Sequence, residues 1–313
     1  MSPCGAPRAS PWLLPTCPWG GILSKSPRPR PGLGSKGRVP AQRASRGFGA
    51  GFVLTLLCGL LAGCSTFAPQ IPPPGAQILK EPPAAGWTTD KLLQILDQRD
   101  RQFRSVRGLA SVSYRGPEGK QGFQEAILVQ RPDRARLETL SMLGAILIVT
   151  VNADQIAGFH PREGVFIRGE STKENLFRYT RIPLELEEMT RLLVGLPPVA
   201  PGSGWQTAGG SLYRDRGGQG KEIVTFDLPS GVPVRWHRLA ADGSPELSAA
   251  FENYSPTAAG LFPLKIIFEA AGQQRSVEIV YEGPEINAVL PAELFSQQKP
   301  ANAKELPIEA LGS

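Results

Sequence analysis

The residues able to do covalent or metal chemistry are few. Four cysteines, Cys4, Cys17, Cys58 and Cys64, all fall in the first fifth of the 313-residue chain, and the 249 residues after Cys64 contain none. The body therefore has neither a disulfide framework nor a cysteine-based zinc site. Its two histidines, His160 and His237, stand alone in strand-like runs without H-E-x-x-H or any other ligand spacing, so no metal is expected. There is no G-x-S-x-G nucleophile elbow. Gly217-Gly-Gln-Gly220-Lys221-Glu222 superficially resembles a phosphate loop, but Asp215 stands in place of its first glycine and Glu222 in place of its Ser or Thr. The carboxylates Glu185, Glu187 and Glu188 are better explained as charge at a helix start than as a catalytic dyad. No enzyme is expected. One thiol is left in an unusual place, Cys64, at the end of an apolar run.

That run, residues 51–63, is 13 residues long and follows Arg43 and Arg46. A helix crossing a hydrocarbon core of ~30 Å needs ~20 residues, so this one is too short to span it. A basic stretch, an apolar core and small residues at its end are the layout of a secretory signal peptide. The segment Leu61-Ala62-Gly63-Cys64 resembles the lipobox of bacterial lipoproteins at all four positions. The resemblance implies cleavage before Cys64, with S-diacylglycerol and N-acyl groups (palmitate among them) on that residue. Ser65 rather than Asp follows, which implies sorting to the outer membrane, facing the periplasm. No other cofactor is expected.

Charge follows the same division. Residues 1–63 hold eight basic side chains and no acid, which leaves 26 basic against 28 acidic residues in 64–313, a net of −2. The overall +6 belongs to the leader, and a near-neutral body has no electrostatic footprint for nucleic acid. Residues 1–40, rich in Pro, Gly, Ser and Arg, do not fit a signal peptide. They read as an unstructured leader from a start placed too far upstream, with translation beginning near Val39. The signal peptide is then 41–63, and the lipidated Cys64 opens a Pro-rich tether, 64–87. At ~3.1 Å per residue that tether could reach ~70 Å.

A folded body is expected over 88–296. Thr88 or Thr89 caps a first helix whose Leu92, Leu93, Leu96 and Phe103 form one side, with Asp97/Arg101 and Asp100/Arg104 paired on a solvated face. Period-2 runs follow in two meanders, Ala110–Arg168 and Trp205–Tyr281, of about ten to eleven strands joined by loops too short for parallel crossovers. Between them lies a helical insert. Ser171 and Glu174 read as a capping box, and a second helix begins at Pro183 and ends at Gly195. The tail, 297–313, reads as loose.

This order resembles the LolA/LolB-like family of lipoprotein carriers, moderately across 88–290 and specifically in a few places. Arg134-Ala-Arg136-Leu137 leads into Ser141-Met142-Leu143-Gly144, where that family has an Asn-Pro-Leu-Gly loop. Later, Ile182-Pro183-Leu184 and Leu192-Leu193-Val194-Gly195-Leu196-Pro197 match its proline-led helix ending in L-G-L-P. Ser141-Met142 departs from Asn-Pro, and the second meander matches only in outline. The resemblance implies an α+β fold, a half-open, curved antiparallel β-barrel with helices covering an apolar cavity. It implies a lipid-anchored protein-transport chaperone that takes acylated lipoproteins from a periplasmic carrier and inserts them into outer-membrane lipid, and a monomer is expected because no long apolar surface helix or coiled-coil pattern asks for a partner. At ~0.8 kcal/mol per methylene, three chains of ~16 carbons represent ~38 kcal/mol of apolar transfer, so such cargo needs a carrier. The same fold also occurs in lipid-sensing or scaffolding lipoproteins that transfer no cargo, and this is the competing expectation.

Carried onto this chain, the family's membrane-insertion loop falls on Met142, Leu143 and Gly144. The bland alternative is that Leu143 folds back onto the core. Candidates for the acyl cavity are Leu137, Leu147, Val149, Phe166, Leu176, Phe177 and Leu186, each of which could equally be plain core. Period 2 alone leaves open whether Ile146/Ile148 or Leu147/Val149 points inward.

Overall fold

The computed structural model describes residues 74–117, 119–180, 183–199 and 202–311. The signal-like run, Cys64 and the first part of the Pro-rich segment lie outside these. Among the described residues no helix is long and apolar enough to cross a membrane.

A short helix α1 (Pro74–Ile78) precedes α2 (Thr89–Gln102), whose first turn is closed by Thr88 Oγ1 accepting from the Lys91 N–H at 3.3 Å. The first meander comprises β1 (Ser105–Gly116), β2 (Gly119–Gln130), β3 (Arg134–Ser141), β4 (Gly144–Val151), β5 (Gln155–His160) and β6 (Val165–Glu170). Helices α3 (Lys173–Thr180) and α4 (Leu186–Leu193) intervene. The second meander runs β7 (Gln206–Ala208), β8 (Ser211–Asp215), β9 (Lys221–Asp227), β10 (Val232–Leu239), β11 (Pro245–Thr257), β12 (Gly260–Ala270) and β13 (Arg275–Ile286), and β14 (Lys304–Pro307) comes last.

All fourteen strands form one open sheet in the order β14-β6-β5-β4-β3-β2-β1-β13-β12-β11-β10-β9-β8-β7. The two meanders are joined where β1 pairs with β13, from Val106 opposite Ile286 to Arg115 opposite Ser276. An open sheet this wide curls. The core shows it: side chains from β1–β3 and from β8–β13 meet in one apolar cluster around Leu92 and Phe103 of the α2 segment and Leu192, Leu193 and Leu196 at the end of α4. Register shifts at Arg107/Leu109, Thr139/Leu140 and Pro233/Arg235 add local bends.

Several expectations are corrected. The strands number fourteen rather than ten to eleven, because the short edge strands β7 and β14 carry too little periodic sequence to be read. The tail is not loose throughout. β14 pairs in parallel with β6, and the following Ile308 is fully buried against Gly169. The tether does not extend to residue 87. From Pro74 onward it lies on the body, with the Ala84 N–H bonded to the Gly209 carbonyl at 3.0 Å and the Gly209 N–H to the Pro82 carbonyl at 2.9 Å. Ser171 caps nothing; the Thr172 Oγ1 accepts from the Asn175 N–H instead. α4 starts at Leu186, three residues beyond Pro183, and closes with the Leu196 N–H reaching back to the Arg191 carbonyl at 2.9 Å.

Asp100 turns away from Arg104. It pairs with Arg131 at 2.7 Å and with Arg191 of α4 at 2.5 Å, both guanidiniums being largely buried. One carboxylate thus ties α2, the β2–β3 turn and α4 together. Removing it would strand two cations away from water. Asp100→Ala is expected to cost about 1–3 kcal/mol in urea unfolding, whereas Asp97→Ala on the same helix is expected to cost under about 0.5 kcal/mol.

Candidate functional site

Between the sheet and the two insert helices lies a cavity of about 100 Å³. Its floor comes from the inward residues of neighbouring strands: Val112 and Tyr114 on β1, Phe123 and Ile127 on β2, Leu137 on β3, Val277 and Ile279 on β13. Its roof is Leu176 and Thr180 of α3 with Met189, Leu192 and Leu193 of α4. Period-2 alternation makes the floor, since every second residue of β1, β2 and β13 faces the helices.

One charged residue type interrupts this lining. Glu125 sits between Phe123 and Ile127 on β2, 5 % exposed, and accepts one hydrogen bond, from Thr139 Oγ1 at 3.3 Å. The sheet registers put Thr139, Glu125, Ala110 and Tyr281 in one row across β3, β2, β1 and β13. Ala110 leaves space in the middle of that row. Burial pushes the Glu125 carboxyl up to about 8, and Thr139 opposes this only weakly. Burial, with a smaller contribution from Glu125, also raises the Tyr281 and Tyr179 hydroxyls far above their ordinary value. Tyr281 donates to the Leu193 carbonyl at 2.8 Å, and Tyr114 accepts from Arg275 Nε at 3.0 Å. The Tyr179 hydroxyl is buried without a partner, fitted into the space that Gly158 leaves; a Cβ there would come within 2.4 Å of it.

The roof helices are held unequally. α4 is tied by Arg191–Asp100, by Glu188–Arg238 at 2.5 Å, by Thr190 Oγ1 donating to the Pro132 carbonyl at 2.6 Å, and by Tyr281. α3 has the Asn175 amide on the Glu170 carbonyl at 3.0 Å and an exposed Lys173–Glu185 pair at 3.5 Å.

Of the proposed cavity residues, Leu137 and Leu176 line it. Leu147 and Val149 are buried beside it, in a cluster completed by half-buried Leu186. Leu147 and Val149, not Ile146 and Ile148, are thus the buried pair on β4. Phe166 does not belong to the cavity: it packs on the opposite face of the sheet against Ala157, Phe159 and Ala303, because its neighbour Ile167 takes the inward position. Phe177 is half-buried and absent from the lining, as α3 turns Leu176 and Thr180 inward instead. Sequence reasoning missed Glu125. The signal for it was a carboxylate at an inward position of an alternating strand, between Phe123 and Ile127.

Met142 and Leu143 form the tip of the β3–β4 hairpin, Met142 fully exposed and Leu143 87 % exposed. Leu143 therefore does not fold back. Ser141 Oγ donates to the Gly144 carbonyl at 2.9 Å and accepts from the Leu143 N–H at 3.3 Å, and Gly144 adopts φ +106, so the turn is held by its own small residues while its apolar side chains meet solvent. Arg162 stands beside it, 3.5 Å from Ser141 Oγ. Cys64 lies outside the described residues. His160 and His237 sit apart on β5 and β10, and among the described residues no group of His, Cys, Asp or Glu is placed to hold a metal.

No family profile and no curated protein matches the sequence. Solved structures similar to this chain include an outer membrane lipoprotein-sorting protein domain from Vibrio parahaemolyticus (11 % identity, 66 % of this chain and 96 % of that one, TM-score 0.45). A LolA superfamily protein from Nitrosomonas europaea is similar at 12 % identity, 66 % and 97 % coverage and TM-score 0.44. A DUF1329 family protein from Desulfovibrio piger is similar at 10 % identity, 66 % and 98 % coverage and TM-score 0.47. At such values the site's own geometry has to carry the function.

The raised carboxyl has a direct consequence for stability. With a folded value of about 8 against an ordinary 4.5, Glu125 holds its proton in the native state where the unfolded chain has released it. Stability from this group is complete below about pH 4.5 and is lost as pH rises towards 8. His237, pushed down to about 4 mainly by burial, acts in the opposite sense and costs stability as pH falls below about 6.5. In thermal and urea unfolding, Glu125→Gln is expected to abolish the loss between pH 5 and 8, up to about 1.4 kcal/mol per pH unit, and to leave the acid limb unchanged.

Proposed function

We propose that this chain is a membrane-anchored lipoprotein that receives acylated lipoproteins from a periplasmic carrier of the LolA kind and passes them into the outer membrane, a binding and transfer protein rather than an enzyme. The observation that carries this reading is the exposed Met142–Leu143 tip, displayed on the same sheet whose inner face builds an apolar cavity. Two large apolar side chains held in water by a self-contained turn gain nothing for the fold, and each gains about 1.5–3 kcal/mol on entering lipid.

The topology supports it. In the antiparallel registers the turns at 116–119, 141–144, 160–165, 215–221, 239–245 and 270–275 all fall at one end of the sheet. A Cβ on Gly75 in α1 would touch Leu239 and Ile223, so the chain enters at that end too.

At about 100 Å³ the cavity is smaller than the ~300–1,000 Å³ of ordinary ligand sites, so cargo has to displace part of the roof. Burial of Leu192, Leu193, Val194 and Leu196 is worth roughly 6–12 kcal/mol in all and keeps α4 in place. α3, which buries Leu176 and Tyr179 and has fewer ties, is the part that gives way. So small a cavity is also what a lipid sensor would present at rest, which favours the second reading, a sensing or scaffolding lipoprotein without cargo transfer.

Transfer from a loaded carrier separates the two. The native protein is expected to take up cargo and deliver it to liposomes. Leu143→Glu should fold and accept cargo but lose at least tenfold in the onward step. A folded native protein that takes no cargo from a competent donor would refute the receptor reading in favour of the sensor.

A further inference from the structure

A carboxyl group is an expensive thing to place in an apolar cavity. Glu125 has one weak hydrogen bond, from Thr139, and no cation pairs with it among the described residues. Packing does not require it, because Phe123 and Ile127 on either side fill the same face with hydrocarbon. Thr139 donates to one carboxyl oxygen, and the Glu125 side chain lines the space beneath α3 and α4. The surroundings add no compensating charge. On β1, Tyr114 is engaged by Arg275 of β13; on β13, Tyr281 is committed to the Leu193 carbonyl; on α3, Tyr179 is a neutral hydroxyl. α4 contributes Met189, Leu192 and Leu193, and β12 contributes Phe268. The cavity wall is therefore hydrocarbon apart from the Glu125 carboxyl and the hydroxyls of Tyr114, engaged by Arg275, and Thr180, which donates to the Leu176 carbonyl at 2.8 Å.

We propose that Glu125, as the neutral acid, donates a hydrogen bond to the carbonyl at the head of a bound acyl chain, while the chain lies against Ile127, Leu137, Leu176 and Leu192. This rests on the acyl-binding reading above and specifies its chemistry: the ligand is an acyl ester or amide, as on a lipidated cysteine, rather than bare hydrocarbon. The carbonyl accepts from Glu125, and that contact sets how deep the chain enters. As the environment becomes alkaline and Glu125 ionises, the donor is lost and a charge faces the carbonyl oxygen, so acyl ligands are released.

The test uses the full chain carrying Cys64→Ser, so that its own lipid does not compete. Binding of methyl palmitate, N-methyl palmitamide and hexadecane is measured by displacement of a fluorescent apolar probe. The carbonyl carbon of bound ester and amide, labelled with carbon-13, is observed by NMR. In the native protein the labelled carbon is expected to move downfield, as for a hydrogen-bonded carbonyl. Glu125→Gln, which keeps a donor, should retain that shift and the affinity. Glu125→Leu should lose the shift and bind ester and amide about tenfold more weakly, with hexadecane unaffected or tighter. Ester affinity should fall above about pH 8 in the native protein and stay level in Glu125→Gln. Both variants are checked by thermal melting, and Glu125→Leu is expected to be at least as stable as native.

If Glu125→Leu binds all three ligands as the native protein does, with the carbonyl shift intact, the inference is overturned while the acyl-binding function stands. If the native protein binds none of them, both fall.

Discussion

The pairing of β1 with β13 is the constraint on which the rest depends. It joins strands about 170 residues apart in sequence, a costly closure for which the loop entropy is repaid only when both meanders are in place. Without it there would be two smaller sheets, each with an exposed apolar face. With it, the inward residues of β1, β2 and β13 become one continuous floor, and Thr139, Glu125, Ala110 and Tyr281 come into one row. The cavity lies astride this seam. Neither half of the chain could build it alone.

The roof is attached across the same seam. Glu188 reaches Arg238 on β10, which shares Glu222 with Arg214, and Arg191 reaches Asp100 on α2. These pairs are partly buried, so their strength in the native state is less informative than the cost of breaking one partner away. With Thr190 donating to the Pro132 carbonyl of the β2–β3 turn, they hold α4 to both meanders at once. α3 packs on the first, under the Ile308 turn that follows β14, and only roofs the cavity over β13. A half-open sheet with one fixed and one lightly held cover can enlarge its cavity without giving up the seam.

Much of this was legible in the residues. Alternation in Ala110–Tyr114 and in the runs after it marked the meanders, because one buried face imposes period 2 directly on sequence. The α2 cap at Thr88 and the stop of α4 at Gly195 were legible for a similar reason, each being a local solution to unpaired backbone groups. What was not legible depended on partners far away in sequence. β7 and β14 are strands because an edge was available to them, not because Gln206–Ala208 or Lys304–Pro307 is strongly strand-like. Asp100 looked like half of a surface i,i+4 pair and was taken instead by Arg131 and Arg191. Phe166 looked like cavity because it is large and apolar, yet its inward neighbour Ile167 decided the face. Glu125 needed both facts together, an inward register and a lid above it, and sequence offered only the first.

The two ends of the sheet are not equivalent, and this bears on how such a body could work at a membrane. The end opposite the Met142–Leu143 tip includes the Gln130–Arg134, Val151–Gln155, Asp227–Val232 and Thr257–Gly260 turns and bears Arg131 and Arg134 as well as Asp133, Asp154 and Asp227, without an exposed apolar pair. The tip end carries the exposed Met142 and Leu143 with Arg162 beside them, 3.5 Å from Ser141 Oγ, a cation suited to headgroups next to side chains suited to acyl tails, and its other turns bear Arg115 and Lys120 together with Glu163, Asp215 and Asp242. Because the chain lies on the body from Pro74 onward, only ten peptide steps separate Cys64 from the fold, at most about 36 Å of extended backbone. That length is comparable to the bilayer itself and half of what a tether ending at residue 87 would allow. On the proposed reading so short an anchor would hold the body close to lipid, where the exposed Met142–Leu143 tip has the side chains to enter it and the opposite end has no exposed apolar pair.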